Sequence, residues 1–586
     1  MKIIKTQAIS GPNIFNHKSI SIMTIDLEEY VETDSSMLPE FAERIQRDLP
    51  GLAKHRCSRG YEGGFIERLG IGTYMGHIIE HIALEMSEPA GASVSYGKTV
   101  YGGSYGIYKV VIECALPTFS RHLLHSAFHY AKAALAGDEF DLTKVYADGQ
   151  RILNRDGLGP STKAIVTAAQ ARGIPWARIN NRGLVQLGHG EKRKFIQATQ
   201  SWNTNSIAVD ISCNKALTKE FLTRASIPVP FGRVVETEDE AIEAFRAIRG
   251  TAVVKPLDGN QGKGVSVNLT TDEQVRAAFR IAESYSRDVI VEEMYDGHDY
   301  RLIVVGGKLV AASRRCAPIV LGDGLRTVRE LVELENQNPL RGDGHEKPMT
   351  KMRLDEIASM SLEKQGFTFD SLVPFGKTVI LRESTNLSTG GLAIDVTDEV
   401  HPTIKTICER AAAAIGLDIC GVDLLATDIS KPLTKTNGIV ELNAAPGIRM
   451  HHYPSQGKSR DVGGAIVDSL FPTANDARIP IISITGTNGK TTTTRLTGHI
   501  MQAAGKTVGM TTTGGIWLND NQIAAGDTTG PRSAQTVLGD PSVGVAVLET
   551  ARGGLGRNGL GYDWSDVGII TNIGPDHIGQ DGIEDE

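Results

Sequence analysis

Cysteine is sparse in this sequence, and its placement builds no disulfide framework. Six occur in 586 residues, namely Cys57, Cys114, Cys213, Cys316, Cys408 and Cys420, and no two form a Cys-x-x-Cys pair. Scattered thiols in a chain of this length predict reduced, buried side chains in an intracellular protein. Apolar runs long enough to span a bilayer are also missing, so no helical membrane span is expected. Met1 to Asn13 carries two early lysines but no apolar stretch leading to a cleavage site, and no secretory leader is expected. Positive charge is not in excess. Lys and Arg total 61 against 69 Asp and Glu, a net charge of −8, which argues against a general nucleic-acid binder. There is no repeat array and no low-complexity tract. The expectation is a cytoplasmic protein with no membrane and no nucleic-acid partner.

What is present is globular. The chain is 40% apolar and 22% charged, enough for each domain to bury a core. At roughly 150 residues per domain it divides into three or four. Alternating runs predict strands over Ile20–Ile25 and Tyr108–Glu113, and helical spacing predicts helices over Gly76–Met86 and Arg121–Leu135. The fold class expected is multidomain α/β and α+β. An N-terminal α+β domain covers 1–150, followed by a segment over 151–212. A mixed α/β domain covers 213–472, a linker rich in Pro, Asn and Asp covers 473–480, and a phosphate-loop α/β domain covers 481–586.

Glycine is abundant, with 64 residues, and one glycine loop spans 258–264, Asp-Gly-Asn-Gln-Gly-Lys-Gly, after the strand ending Lys255-Pro256. Such a loop exposes backbone N–H groups to a phosphate, and flanking lysines add charge. Glu292 and Glu293 end the strand Val289–Met294. Asp423 sits in the apolar run Gly421–Leu425. Glu441 and Asn443 alternate on a strand and share one face. Asp423, Glu441 and Asn443 form an all-oxygen set suited to Mg²⁺. Over roughly 210–470 these features resemble the ATP-grasp superfamily. The resemblance places Lys215 and Lys255 on ATP phosphates. It makes the 258–264 loop, with Gly262, Lys263 and Gly264, a lid, and puts Glu292 and Glu293 in the adenine and ribose region. Asp423, Glu441 and Asn443 become magnesium ligands. It implies activation of a carboxylate as an acyl phosphate, which an amine then displaces.

A second phosphate loop follows the strand Ile481–Ile484. Gly486, Thr487, Asn488, Gly489, Lys490 and Thr491 open a helix, so its N–H groups, a lysine and a hydroxyl converge. This shortened loop resembles the Mur ligase family, as does Asn572-Ile573-Gly574-Pro575-Asp576-His577. The resemblance gives Lys490 and Thr491 to phosphate and Mg²⁺, and Glu549 and His577 to a second Mg²⁺. Thr511-Thr512-Thr513 falls where that family has a substrate and metal loop. A Mur-type ligase continues well beyond the equivalent of Glu586, so a truncated or fragmentary module is one expectation.

His77-Ile78-Ile79-Glu80-His81 has the His-x-x-Glu-His spacing on a helix. His77 and His81 lie one turn apart, which suits Zn²⁺, with Glu80 as base and Glu113 as a third ligand. A helix with two packed histidines and a surface glutamate is the other reading. The module order, with Gly11-Pro12-Asn13-Ile14, Leu158 to Thr162 and Asn386 to Gly391, resembles the cyanophycin synthetase family. That resemblance implies a primer-dependent polymer. The ATP-grasp module would add L-aspartate to its backbone, and the Mur-type module would add L-arginine to each side chain. It also implies a homodimer or homotetramer, and an amino-terminal domain that cuts polymer into primers. Arg314 and Arg315 are candidates for substrate carboxylates, with Arg315 in the reaction centre, or else form a solvated basic turn. Three alternatives accompany this reading: polymerisation of β-aspartyl-arginine dipeptides with an idle Mur module, a non-catalytic polymer-binding scaffold, and a zinc peptidase alone.

Overall fold

The computed structural model describes residues 1–248, 250–257, 264–342, 349–382, 385 and 387–575. The chain forms two compact units. One comprises Met1–Gly157, Gly188–Arg193 and Asn475–Glu586, and the other comprises Leu158–Leu187 and Lys194–Ala474. Among the described residues no helix is long and apolar enough to cross a membrane.

The first unit opens with a four-stranded antiparallel sheet. Its order is Lys2–Ile9, Ile20–Asp26, Ile107–Glu113, Gly97–Tyr101. Alternation splits the inner strands between two cores. Met23, Ile25, Val110 and Ile112 join the larger one, and Ile20, Ile22 and Val111 the smaller. Helices Met75–Ser87 and Pro117–Ala136 fill the larger core. Pro117 starts its helix at a position that needs no N–H bond, and Gly137 ends it at φ +79°.

The same unit holds a six-stranded sheet, ordered Asn521–Ala525, Gly515–Leu518, Val508–Thr512, Val545–Glu549, Ile481–Thr485, Val567–Ile570. The last four pair in parallel, and the first two join antiparallel. Every residue of Val545–Glu549 is buried, the pattern of a strand covered on both faces. Helix Pro531–Leu538 lies on one face and Lys490–Ala503 on the other. The stretch expected as a linker is packed. Ala477 and Ile479 are buried, and Arg478 pairs with Asp563 and covers the Trp564 ring 3.5 Å from its centroid. Proline and asparagine stop the helix there, but the apolar residues between them still seek a core.

Two of the antiparallel sheets in the second unit bear on the site. The first is ordered Ser266–Leu269, Ala252–Pro256, Val289–Glu293, Gly232–Val235, and helices Glu238–Ala247 and Asp272–Glu283 cover it. The second is ordered Leu392–Asp395, Lys308–Cys316, His298–Val305, Ile419–Ala426, Gly438–Asn443, with helix Pro402–Ile415 on its core face. Residues between Ile319 and Leu381 form a further small core.

Candidate functional site

The structure assembles three groups of chemically able side chains, the first in one unit and the other two in the other. The first lies in the second unit. Asn214 caps helix Lys215–Arg224 by accepting the Leu217 N–H at 3.0 Å, which sets Lys215 at the helix start. The Lys215 ammonium donates to the Pro256 and Leu257 carbonyls at 3.3 and 3.1 Å. Lys255 reaches Glu292 at 2.5 Å, and Lys219 takes the other oxygen of that carboxylate. Glu292, expected near adenine and ribose, is here the buried partner of two lysines. Glu293 instead accepts the Phe231 N–H at 3.3 Å. Burial, with Lys215 nearby, pushes Lys255 down to about 8. Lys219 belongs to no motif in the sequence, although its i, i+4 spacing from Lys215 is a usable signal.

Strand register assembles the acidic half of this group. Asp423 pairs with Glu441, and Gly421 with Asn443, so all three expected magnesium ligands share one face. Arg301 stands opposite Asp423, and Asp299 opposite Arg315. Arg301 and Arg315 both contact the Asp423 carboxylate, at 3.0 and 3.2 Å, and Arg315 also binds Asp299 at 2.6 and 3.0 Å. Arg315 is thus engaged by two carboxylates, and its guanidinium is held firmly charged by them. Arg314 pairs opposite Tyr300, on the other face of the strand, which separates the two arginines read as a pair. Gly421 leaves the space that Arg301 and Pro446 use: a Cβ there would meet Pro446 at 2.6 Å. Among the described residues the buried Asn443 amide nitrogen has no partner. Two facing carboxylates and an amide oxygen make an all-oxygen set that fits a magnesium–nucleotide. Gly262, Lys263 and Asn386 lie outside the described residues. Gly264 has φ +70°, and a Cβ there would meet the Tyr285 ring at 2.7 Å.

The second group lies at the carboxyl ends of the parallel strands, where open α/β sheets hold ligands. Gly486 has φ +137°, and a Cβ there would sit 2.1 Å from the Thr571 hydroxyl. Lys490 folds back to donate to the Gly486 and Thr487 carbonyls at 2.8 and 2.9 Å. Ile484 pairs with Glu549 in the parallel register, which brings that carboxylate to the loop. Thr491 donates to Glu549 at 3.0 and 3.1 Å and meets the Thr513 hydroxyl at 3.0 Å. Glu549 also accepts the Thr513 N–H at 3.2 Å. Thr511 and Thr512 are buried in the strand, so of that threonine run only Thr513 faces the group. Carboxylate and hydroxyl oxygens here suit Mg²⁺ beside a phosphate chain. His577 lies outside the described residues.

The third group is in the amino-terminal domain. His77 and His81 project from one helix face with ring centroids 4.7 Å apart. Cys57 joins them: its sulfur and one nitrogen of each imidazole all lie within 4.8 Å of one another. Cys57 sits in a short turn at φ +53°, a strained setting that costs about 1 kcal/mol or more and aims the thiol inward. Thr73 holds Nδ1 of His77 at 2.8 Å, and His55 links His81 to Glu85 at 2.9 and 3.0 Å. Such outer bonds fix imidazole orientation at metal sites. Burial pushes His77 down to about 4 and Glu80 up to about 7. Glu80 accepts the Thr99 hydroxyl at 2.7 Å. Glu113, the expected third ligand, pairs with Lys18 at 2.7 Å at the end of its strand, and the group close enough to hold one metal ion is instead Cys57, His77 and His81. Thiolate and imidazole together suit Zn²⁺.

Residues 22–136 match the family described as "Cyanophycin synthase-like N-terminal domain", 220–326 match "Prokaryotic glutathione synthetase, ATP-grasp domain", and 484–583 match "Mur ligase middle domain". The cyanophycin synthetase of Synechocystis sp. is 46% identical over all of this chain and 68% of its own length. That of Nostoc sp. is 46% identical over 66% of its own length. This chain therefore spans about two thirds of the curated relatives it matches. A glutathione biosynthesis bifunctional protein of Clostridium perfringens is 35% identical over 55% of this chain and 42% of its own. A solved bifunctional glutathione synthetase from Pasteurella multocida aligns over 61% of this chain and 52% of its own, with 28% identity and a TM-score of 0.46. By its likeness to the cyanophycin synthetases over its whole length and by the three family matches, the chain belongs to the cyanophycin synthetase family of ATP-dependent carboxylate–amine ligases.

Proposed function

We propose that the two phosphate-binding groups perform two successive ligations on one polymer, the first adding L-aspartate to the backbone and the second L-arginine to its side chain. The observation that carries this reading is the duplication of the cradle. Lys215 and Lys255 with Asp423, Glu441 and Asn443 make one, and Lys490 and Thr491 with Glu549 make the other. In each, a substrate carboxylate attacks the γ-phosphorus of ATP and ADP leaves. The amine then attacks the acyl carbon and phosphate leaves. Lys255 and Lys490 turn from their present oxygen partners to the nucleotide phosphates. Arg301 and Arg315 offset charge building on the reacting oxygens. Magnesium, held by the oxygen sets named above, supplies charge neutralisation on the phosphates. A cytoplasmic homo-oligomer is part of the same reading.

The test uses purified protein, ATP, Mg²⁺ and a short primer, with phosphate release and polymer length as readouts. Aspartate and arginine together should elongate the primer. Lys255→Met should remove aspartate-dependent release, and Lys490→Ala should remove arginine-dependent release. No turnover with any substrate sinks the reading.

A second reading has its own observation, the Cys57, His77 and His81 cluster beside Glu80. It supports metal-assisted hydrolysis of a peptide in the amino-terminal domain. Zinc content equal in the wild type and His77→Ala would refute it.

A further inference from the structure

The loop Gly11-Pro12-Asn13-Ile14 has no part in the three groups described above, yet it is firmly built. The Asn13 side chain uses its full bonding capacity. Its amide donates to the Gly11 and Lys18 carbonyls, both at 2.9 Å, and its oxygen accepts the Phe15 and Asn16 N–H groups at 2.9 and 3.0 Å. Gly11 turns at φ +73° and donates its N–H to the Ser19 hydroxyl at 2.9 Å. The Tyr96 hydroxyl donates to the Phe15 carbonyl at 2.8 Å, which ties the loop to the entry of the strand Gly97–Tyr101.

This loop holds a glycine-rich segment of the phosphate-loop domain in the same unit. Five of the eleven residues from Ala551 to Gly561 are glycine, a composition that loses much conformational freedom on ordering. The segment follows Glu549, the carboxylate of the second cradle. Near its end the Leu560 N–H donates to the Pro12 carbonyl at 3.1 Å. Gly559, at φ +77°, lets the two backbones meet: a Cβ there would sit 2.8 Å from the Pro12 oxygen and 3.0 Å from Ile9.

Two residues beyond Leu560, the Tyr562 ring is buried in the core beside the parallel sheet. Its hydroxyl meets that of Ser483 at 2.8 Å, and Ser483 meets the Thr550 hydroxyl at 3.1 Å. Ser483 precedes Ile484 and Thr550 follows Glu549, and Ile484 and Glu549 are partners in the parallel register. The three hydroxyls therefore join the strand that feeds the phosphate loop to the strand that delivers Glu549, next to the point where both leave the sheet.

We propose that Tyr562 is a positioning residue for the second cradle, and that the amino-terminal loop at Pro12 and Asn13 holds it in place. Free nucleotide needs only the phosphate loop. A magnesium–nucleotide needs Thr491 of that loop and Glu549 of the neighbouring strand at a fixed separation, which the hydroxyl bridge sets. The amino-terminal domain thereby tunes metal-dependent binding in a different domain. This rests on the reading of the second cradle as a magnesium–nucleotide site.

The test uses the full chain carrying Lys255→Met, which leaves the second cradle for nucleotide. Binding of a fluorescent mant derivative of AMP-PNP is titrated with Mg²⁺ and again in EDTA. Tyr562→Phe and Asn13→Ala should each weaken binding about five- to tenfold with Mg²⁺ and leave binding in EDTA at the parent value. Retained binding in EDTA also reports a folded module. Without nucleotide, the Leu560 amide should exchange its hydrogen about tenfold faster in Asn13→Ala than in the parent. Variants that match the parent with Mg²⁺ overturn the proposal. Equal weakening with and without Mg²⁺ does so too, because packing alone would have that effect. Weakening in Tyr562→Phe but not in Asn13→Ala overturns the role of the amino-terminal loop. A parent that binds no nucleotide in either condition overturns the reading of the second cradle, and the proposal with it.

Discussion

Lys255 shows how one residue sets the working range of the first cradle. Its ammonium is buried beside Lys215 and lowered to about 8. A base lowered in this way is charged below that value and loses its proton as pH rises through it. The KM for ATP in aspartate-dependent turnover should therefore be flat between about pH 6.5 and 7.5, and then climb toward tenfold per pH unit above about 8. Lys215→Met removes a neighbouring positive charge and should move that limb to higher pH. A KM that stays flat through about pH 9.5 would show that Lys255 does not carry the phosphate. For folding the sign follows from the same lowering: the contribution of Lys255 is present above its unfolded value and lost as pH falls through about 8. In the second module Gly486 is the sensitive residue. At φ +137°, with the Thr571 hydroxyl where a Cβ would go, Gly486→Ala must distort the loop. Arginine-dependent ADP release should fall by two orders of magnitude or so, since about 3 kcal/mol of strain is at stake. Aspartate-dependent release should be unchanged in the same preparation.

At the scale of elements, the second phosphate loop is gripped by the segment that follows strand Val567–Ile570. The Asn572 carbonyl accepts the Thr487 N–H at 3.0 Å. Its side chain accepts the Asn488 N–H at 2.9 Å and donates to the Asn488 carbonyl at 3.0 Å. Asn572→Ala removes both side-chain bonds to Asn488, whose carbonyl keeps only the Thr571 hydroxyl at 2.7 Å, a loss of about 1 to 2 kcal/mol. The KM for ATP in arginine-dependent turnover should rise about tenfold or more, and an unchanged KM would show the loop is shaped without that grip. The sequence already showed the loops, lysines and acidic strand ends, because each is a local pattern with a local cause: glycine freedom, strand alternation, helix spacing. It did not show which residues join across elements. Arg301 enters the first cradle through antiparallel register with Asp423, and Cys57 joins two histidines from a turn twenty or so residues upstream. Glu113 has a ligand's residue type on a nearby strand, but register places it at the strand end beside Lys18. Arg314 and Arg315 read as a pair until alternation sends them to opposite faces.

For the whole molecule, the cores decide how the two ligase groups depend on each other. Lys255 belongs to the unit built on the Val235 to Val291 and Ala208 to Ala444 clusters. Lys490 belongs to the unit containing the Ile482 to Val547 cluster. A chain with separate cores need not unfold in a single step. A ligand that binds only the folded form adds about 2.7 kcal/mol at 100 times its Kd. Calorimetric unfolding with the non-hydrolysable analogue AMP-PNP and Mg²⁺ should therefore raise two transitions. Lys255→Met should keep the ligand shift of one transition and lose that of the other, and Lys490→Ala should do the reverse. Because the readout is heat and not turnover, it tests nucleotide binding at each cradle whatever amine or carboxylate the module accepts. Loss of both shifts in either single variant would mean that the two cradles bind nucleotide as one cooperative body, and the separation of the two ligations by single lysine variants would then fail with it.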